Sequence, residues 1–86
     1  MTIKVVNKYH ESYDIYIGRG SKWGNPYIVG VDGTREQCIN KYTDYLLRND
    51  DLFNDLKELR DKRLGCFCKP QSCHGDILKY YAELDQ

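Results

Sequence analysis

The stretch Arg63 to Asp76, RLGCFCKPQSCHGD, gathers three of the chain's four cysteines and one of its two histidines. Cys66 and Cys68 stand two apart in a segment that reads as a strand, so their side chains point to the same side. Cys73 and His74 open the helical pattern that follows. Cys66, Cys68, Cys73 and His74 together are four zinc-competent ligands, and zinc is the metal such a set would take. Nothing else in the chain requires a cofactor. The spacing is poor for chelation, because adjacent Cys and His at a helix start diverge by about 100°. Thiols packed as small apolar residues explain the same pattern.

Two further chemistries fit this stretch. A thiol at a helix N-terminus meets the positive end of the helix dipole and free backbone donors, which favours the thiolate. With His74 beside it and Asp76 in the same turn, Cys73 has the parts of a nucleophile, a base and an orienting carboxylate. The third reading needs no covalent step. The helix start after Lys69 offers unpaired N–H groups to an anion, and Gly75 permits close approach.

A second stretch, Gly18 to Tyr27 (GRGSKWGNPY), has the composition of a binding loop. Its three glycines, proline and asparagine forbid regular structure and let backbone N–H groups converge. Arg19, Gly20, Ser21 and Lys22 suit an anion; Trp23 offers a flat face for a ring, and Asn25 could read polar edges. The glycine spacing fits neither a Walker loop nor a dinucleotide fingerprint.

The elements that must position these residues follow from periodicity. Ile3 to Asn7 reads as a strand with both faces covered, as in the centre of a sheet. Tyr13 to Gly18 alternates, with Tyr13, Ile15 and Ile17 on one face and Asp14 and Tyr16 on the other; Asp14 is expected either to face solvent, the simpler case, or to have a partner. Tyr27 to Val31 is an extended arm ending in a turn at Asp32-Gly33. Thr34-x-x-Gln37 is a capping box, and Cys38, Ile39, Tyr42, Tyr45 and Leu46 share the stripe that follows, with Cys38 as a small buried residue. Asn49 to Asp51 breaks that helix and caps another carrying Leu52, Phe53, Leu56 and Leu59, which makes an αα-hairpin or one long bent helix. Lys62 to Cys68 returns as a strand. Cys73 to Leu84 is the closing helix, with His74, Ile77, Leu78, Tyr81 and Leu84 inward.

The expected fold is therefore α/β: one domain over residues 1–86, a short, mostly parallel sheet, with the αα-hairpin and C-terminal helix packed on it. If the last strand runs parallel to Tyr13–Gly18, both informative loops leave the same carboxyl edge, where open α/β sheets bind ligands.

Composition sets the limits. Eighty-six residues make one modest core, and the 13 basic and 13 acidic side chains cancel. A balanced charge argues against generic binding to duplex DNA. No apolar run approaches the length of a membrane span, and no export signal is evident. Reduced thiols in a cytoplasm are the corresponding expectation. A site in so short a chain can also be completed by homodimerisation.

The two stretches carry a resemblance. Asp14 to Pro26 is similar to a D-[VI]-Y-I-G-R-G-S-x-W-G-N-P motif, and Leu64 to Asp76 to an L-G-C-x-C-x-P-x-x-C-H-G-D motif. Both mark a family of small domains of unknown function frequent in phage and bacterial genomes. Asn7 matches as well, and Phe67 stands where that family often has tryptophan. The resemblance implies that Arg19, Trp23, Asn25, Cys66, Cys68, Cys73, His74 and Asp76 are signature positions, and it implies no activity. It makes a phage protein the expected context. The function expected from the residues is binding of a phosphate-bearing small molecule, a nucleotide or nucleotide-derived signal, between the two loops. An enzyme built on Cys73 and His74, or a zinc-stapled module for protein or nucleic acid, are the alternatives.

Overall fold

The computed structural model describes residues 3–66 and 73–84. Three short strands form the sheet: β1 (Lys4–Asn7), β2 (Ile15–Tyr16) and β3 (Arg63–Cys66). The helices are α1 (Arg35–Arg48), α2 (Asp50–Asn54), which runs on as a 3-10 turn over Asp55–Leu59, and α3 (His74–Leu84). The α/β expectation holds, and every strand pair is parallel.

The strand order is β1-β3-β2. Lys4 to Asn7 lie opposite Arg63 to Cys66, and Ile15 and Tyr16 opposite Leu64 and Gly65. The centre of the sheet is thus β3, whereas the adjacent valines had suggested β1. Val6 is buried and Val5 half-buried on an edge strand, because neighbouring side chains and α3 cover them.

The second strand is shorter than its alternation suggests. Tyr13 does not share the face of Ile15. Its ring lies over Gly65, where an added Cβ would sit 2.5 Å from the ring. Asp14 is exposed yet partnered: its Oδ2 accepts the Arg63 N–H at 2.9 Å, and its own N–H donates to the Arg63 carbonyl. The acid therefore fixes the register of β2 on β3 rather than simply facing water.

Leu64, Cys66, Ile15 and Ile17 face the helical layer, where they meet Tyr42, Leu46, Leu52, Leu56, Leu59, Leu78 and Ala82 in one core. Helix α1 begins as its residues dictate. Thr34 Oγ1 accepts the Gln37 N–H at 3.1 Å, and Gln37 Oε1 accepts the Thr34 N–H at 2.8 Å. Asn49 ends α1 and caps α2 by accepting the Leu52 N–H at 3.1 Å. The second arm of the expected hairpin is only this α2 and its 3-10 continuation. On α3 His74, Gly75, Leu78 and Ala82 are buried and Ile77 and Tyr81 pack half-buried against the core, while Leu84 is exposed. Ile3 N–H donates to Glu83 Oε2 at 3.1 Å and ties the start of β1 to the end of α3. No helix among the described residues is long and apolar enough to cross a membrane.

Candidate functional site

Parallel pairing of β2 and β3 places the carboxyl ends of both strands at one edge. Ile17 prolongs the pairing by donating its N–H to the Gly65 carbonyl at 3.0 Å. Lys8 N–H donates to the Cys66 carbonyl at 2.7 Å and fixes the end of β3 from the other side.

The loop after β2 closes on itself. Ser21 gives both its hydroxyl, at 2.7 Å, and its N–H, at 3.1 Å, to the Gly18 carbonyl. Gly20 supplies a φ of +94° for that turn. Gly24 lies against the Gly18 backbone, where a Cβ would come within 2.7 Å of the carbonyl oxygen. These contacts revise the expected roles. Ser21 holds the turn. Lys22 turns away to form ion pairs with Asp55 at 3.0 Å and Glu58 at 2.9 Å, and hydrogen bonds to those carboxylates raise its pKa above the ordinary lysine value. Trp23 is 3% exposed in the core, so its ring is not a stacking face for a ligand. Its carbonyl accepts the Tyr42 hydroxyl at 2.8 Å.

Arg19 and Asn25 line a cavity at this edge. Asn25 Oδ1 accepts the Tyr27 N–H at 2.9 Å, and its Nδ2 donates to the Cys38 carbonyl at 3.3 Å, joining the loop to α1. A cavity of about 240 Å³ opens there. One wall is Gly18, Arg19 and Asn25; a second is the arm Tyr27, Ile28 and Val29; a third is the start of α1, with Arg35, Cys38 and Ile39. Its floor is the end of β3 at Cys66 and the start of α3 at Cys73 and His74. A second concavity, of about 510 Å³, lies beside it and is bounded by Arg35, Glu36, Ile39, Cys73 and Asp76.

The start of α3 is a capping arrangement built on sulfur. Cys73 Sγ accepts the Gly75 N–H at 3.2 Å, and Asp76 Oδ2 accepts the Cys73 N–H at 3.3 Å. Asp76 therefore caps its own helix. Cys73 Sγ and Cys66 Sγ are 3.3 Å apart. His74 Nε2 lies 2.6 Å from the Ile17 carbonyl, which can only accept, so that nitrogen carries the proton. Burial lowers the His74 pKa against the upward pull of that carbonyl, and the ring meets Tyr42 edge-on at 4.9 Å between centroids. Through its bond to the Ile17 carbonyl, His74 acts as a brace between α3 and the end of β2.

Two expected residues, Cys68 and Lys69, lie outside the described residues. Among the described residues, no group of three or more His, Cys, Asp or Glu side chains is arranged to hold a metal ion. The sequence reasoning missed Arg35, Cys38 and the apolar arm as site walls. A signal for them existed: a helix that crosses between parallel strands must start at their carboxyl edge, which places Thr34, Arg35 and the first turn of α1 there.

Comparison with known proteins shows a family. Residues 3–84 match the family described as Domain of unknown function (DUF4326). An uncharacterized 12.4 kDa protein of Enterobacteria phage T4, from the nrdA-td intergenic region, is 43% identical over 82 residues, covering 90% of this chain and 74% of that protein. An uncharacterized protein of Acanthamoeba polyphaga mimivirus is 35% identical over 86 residues, covering 79% of this chain and 65% of its own length. No solved structure matches. The chain belongs to the DUF4326 family.

Proposed function

We propose that this member of the family binds a phosphate-bearing small molecule, a nucleotide or nucleotide-derived signal, in the cavity at the carboxyl edge of the sheet. The observation that carries this reading is that Arg19, in the loop after β2, and Arg35, the first residue of α1, line one cavity together with an apolar arm. Two guanidinium groups suit a phosphate, with their planar donor forks. Tyr27, Ile28, Val29 and Ile39 offer the flat or apolar surface that an organic ring needs. The Asn25 amide has one N–H and one lone pair beyond its two bonds to the protein, which suits it to read a polar edge.

Lys22, Ser21 and Trp23 support the loop and do not touch the ligand.

Thermal unfolding with mono-, di- and cyclic nucleotides and inorganic phosphate tests the proposal. A ligand at a hundredfold excess over its Kd stabilises the fold by about 2.7 kcal/mol. Arg19→Ala and Arg35→Ala should each abolish most of that shift while leaving the unliganded midpoint nearly unchanged. Absence of a shift across the whole panel would sink the reading.

A further inference from the structure

We infer that Cys66 and Cys73 form a redox-active dithiol at the floor of the cavity, oxidised by a small hydroperoxide to a disulfide. The two sulfurs are already in contact at 3.3 Å, and a disulfide requires about 1.3 Å of further approach. Both are nearly excluded from bulk water, at 1% and 2% exposure, yet both line the cavity. Access is therefore through the cavity, which admits a hydroperoxide more readily than a bulky thiol or protein disulfide.

The surroundings distinguish the two sulfurs. Cys73 Sγ accepts the Gly75 N–H at 3.2 Å and sits at the start of an eleven-residue helix, so negative charge is favoured on that atom. Cys66 is the last residue of the central strand, held through its carbonyl by Lys8, and supplies the resolving sulfur. Cys38 is an internal comparison. It lines the same cavity, but its thiol is directed at the Gly33 carbonyl, 3.8 Å away.

The reaction balances in two steps. The Cys73 thiolate attacks one peroxide oxygen; the O–O bond breaks and hydroxide, or alkoxide, leaves and takes up a proton. Cys73 is then a sulfenic acid. Cys66 sulfur attacks that sulfur, the S–O bond breaks, and the departing hydroxide leaves as water with the Cys66 proton. Two thiols are oxidised by two electrons, and one peroxide is reduced.

Gly75 is part of the design. A Cβ there would come within 3.1 Å of Cys73 Sγ, 2.7 Å of Ile17 and 2.9 Å of Val5, so a larger residue would displace the sulfur or the sheet beneath it.

The experiment treats reduced, folded protein with equimolar hydrogen peroxide, blocks the remaining thiols with an alkylating agent and maps the peptides. The Lys69-Pro70 bond resists trypsin, so Cys66, Cys68 and Cys73 remain on one fragment and fragment sequencing must locate the residual label. Two of the four thiols should disappear, with label on Cys38 and Cys68 only. Cys68→Ser should oxidise as fast as the unsubstituted chain. Cys66→Ser should stop at a sulfenic acid on Cys73 that dimedone traps about tenfold faster than any adduct on Cys38. A disulfide that requires Cys68, equal oxidation of all thiols, or no oxidation of the folded protein would each overturn the assignment. None of these readouts depends on whether a nucleotide binds.

Discussion

The Tyr42 hydroxyl donates to the Trp23 main-chain carbonyl at 2.8 Å inside the core, and so joins the middle of α1 to the loop that carries Arg19 and Asn25. Burial raises the Tyr42 pKa above the ordinary phenol value, so the group remains a donor throughout the working pH range. Tyr42→Phe removes the donor, keeps the ring and leaves a carbonyl unsatisfied. The expected loss is about 1–3 kcal/mol in urea unfolding. Because the loop then loses an anchor, nucleotide affinity should fall as well. An unchanged midpoint would mean that the bond does not hold the loop.

Lys22 and Arg19 lie three residues apart in a loop that suggested one shared anion site, but they face different ways. Lys22→Ala should cost under about 1 kcal/mol, and less in high salt, because its pairs with Asp55 and Glu58 are exposed. It should leave nucleotide affinity unaltered, whereas Arg19→Ala should abolish it. Titration calorimetry on both variants decides the point; equal losses would return Lys22 to the binding site.

A pH dependence follows from His74. Burial lowers its pKa in the folded protein, so the unfolded chain binds this proton more readily. The stability that His74 contributes is complete above its unfolded value of 6.5, and it is lost as the pH falls from there toward the lower folded value. Protonation would also meet the Tyr42 ring in a site with little water, with Asp76 as the nearby carboxylate that partly offsets it. Urea midpoints between about pH 7 and pH 5.5 should fall in the unsubstituted chain more steeply than in His74→Gln. Parallel slopes would remove His74 as the source.

How much of this was legible in the sequence depended on whether the cue was local. The Thr34-Gln37 box, the Asn49 break and the Tyr42-Leu46 stripe are written within a few residues, and the structure reproduces them. The parallel relation of β2 and β3 came from a connection rule, and it held. Strand order did not follow, because Val5-Val6 imitates a central strand whereas Gly65, in the true centre, has no side chain to announce burial. Its surface is supplied by Tyr13, fifty-two positions away in the chain. The same gap explains the misassigned loop. Trp23 and Ser21 have residue types suited to ligands, and only their distance from the core and from the Gly18 carbonyl shows what they do. Arg35 was overlooked because it looks like any polar first residue of a helix.

The sheet order has a consequence for the birth of the molecule. The first two strands never touch each other as neighbours; each waits for Arg63 to Cys66. During synthesis the early strand segments therefore have no pairing partner until most of the domain has been made. Long-range closure of this kind slows folding. Arg63 to Cys66 completes the hydrogen-bonded ladder and, with the start of α3, the cavity floor, so a chain without them has neither the sheet nor the site.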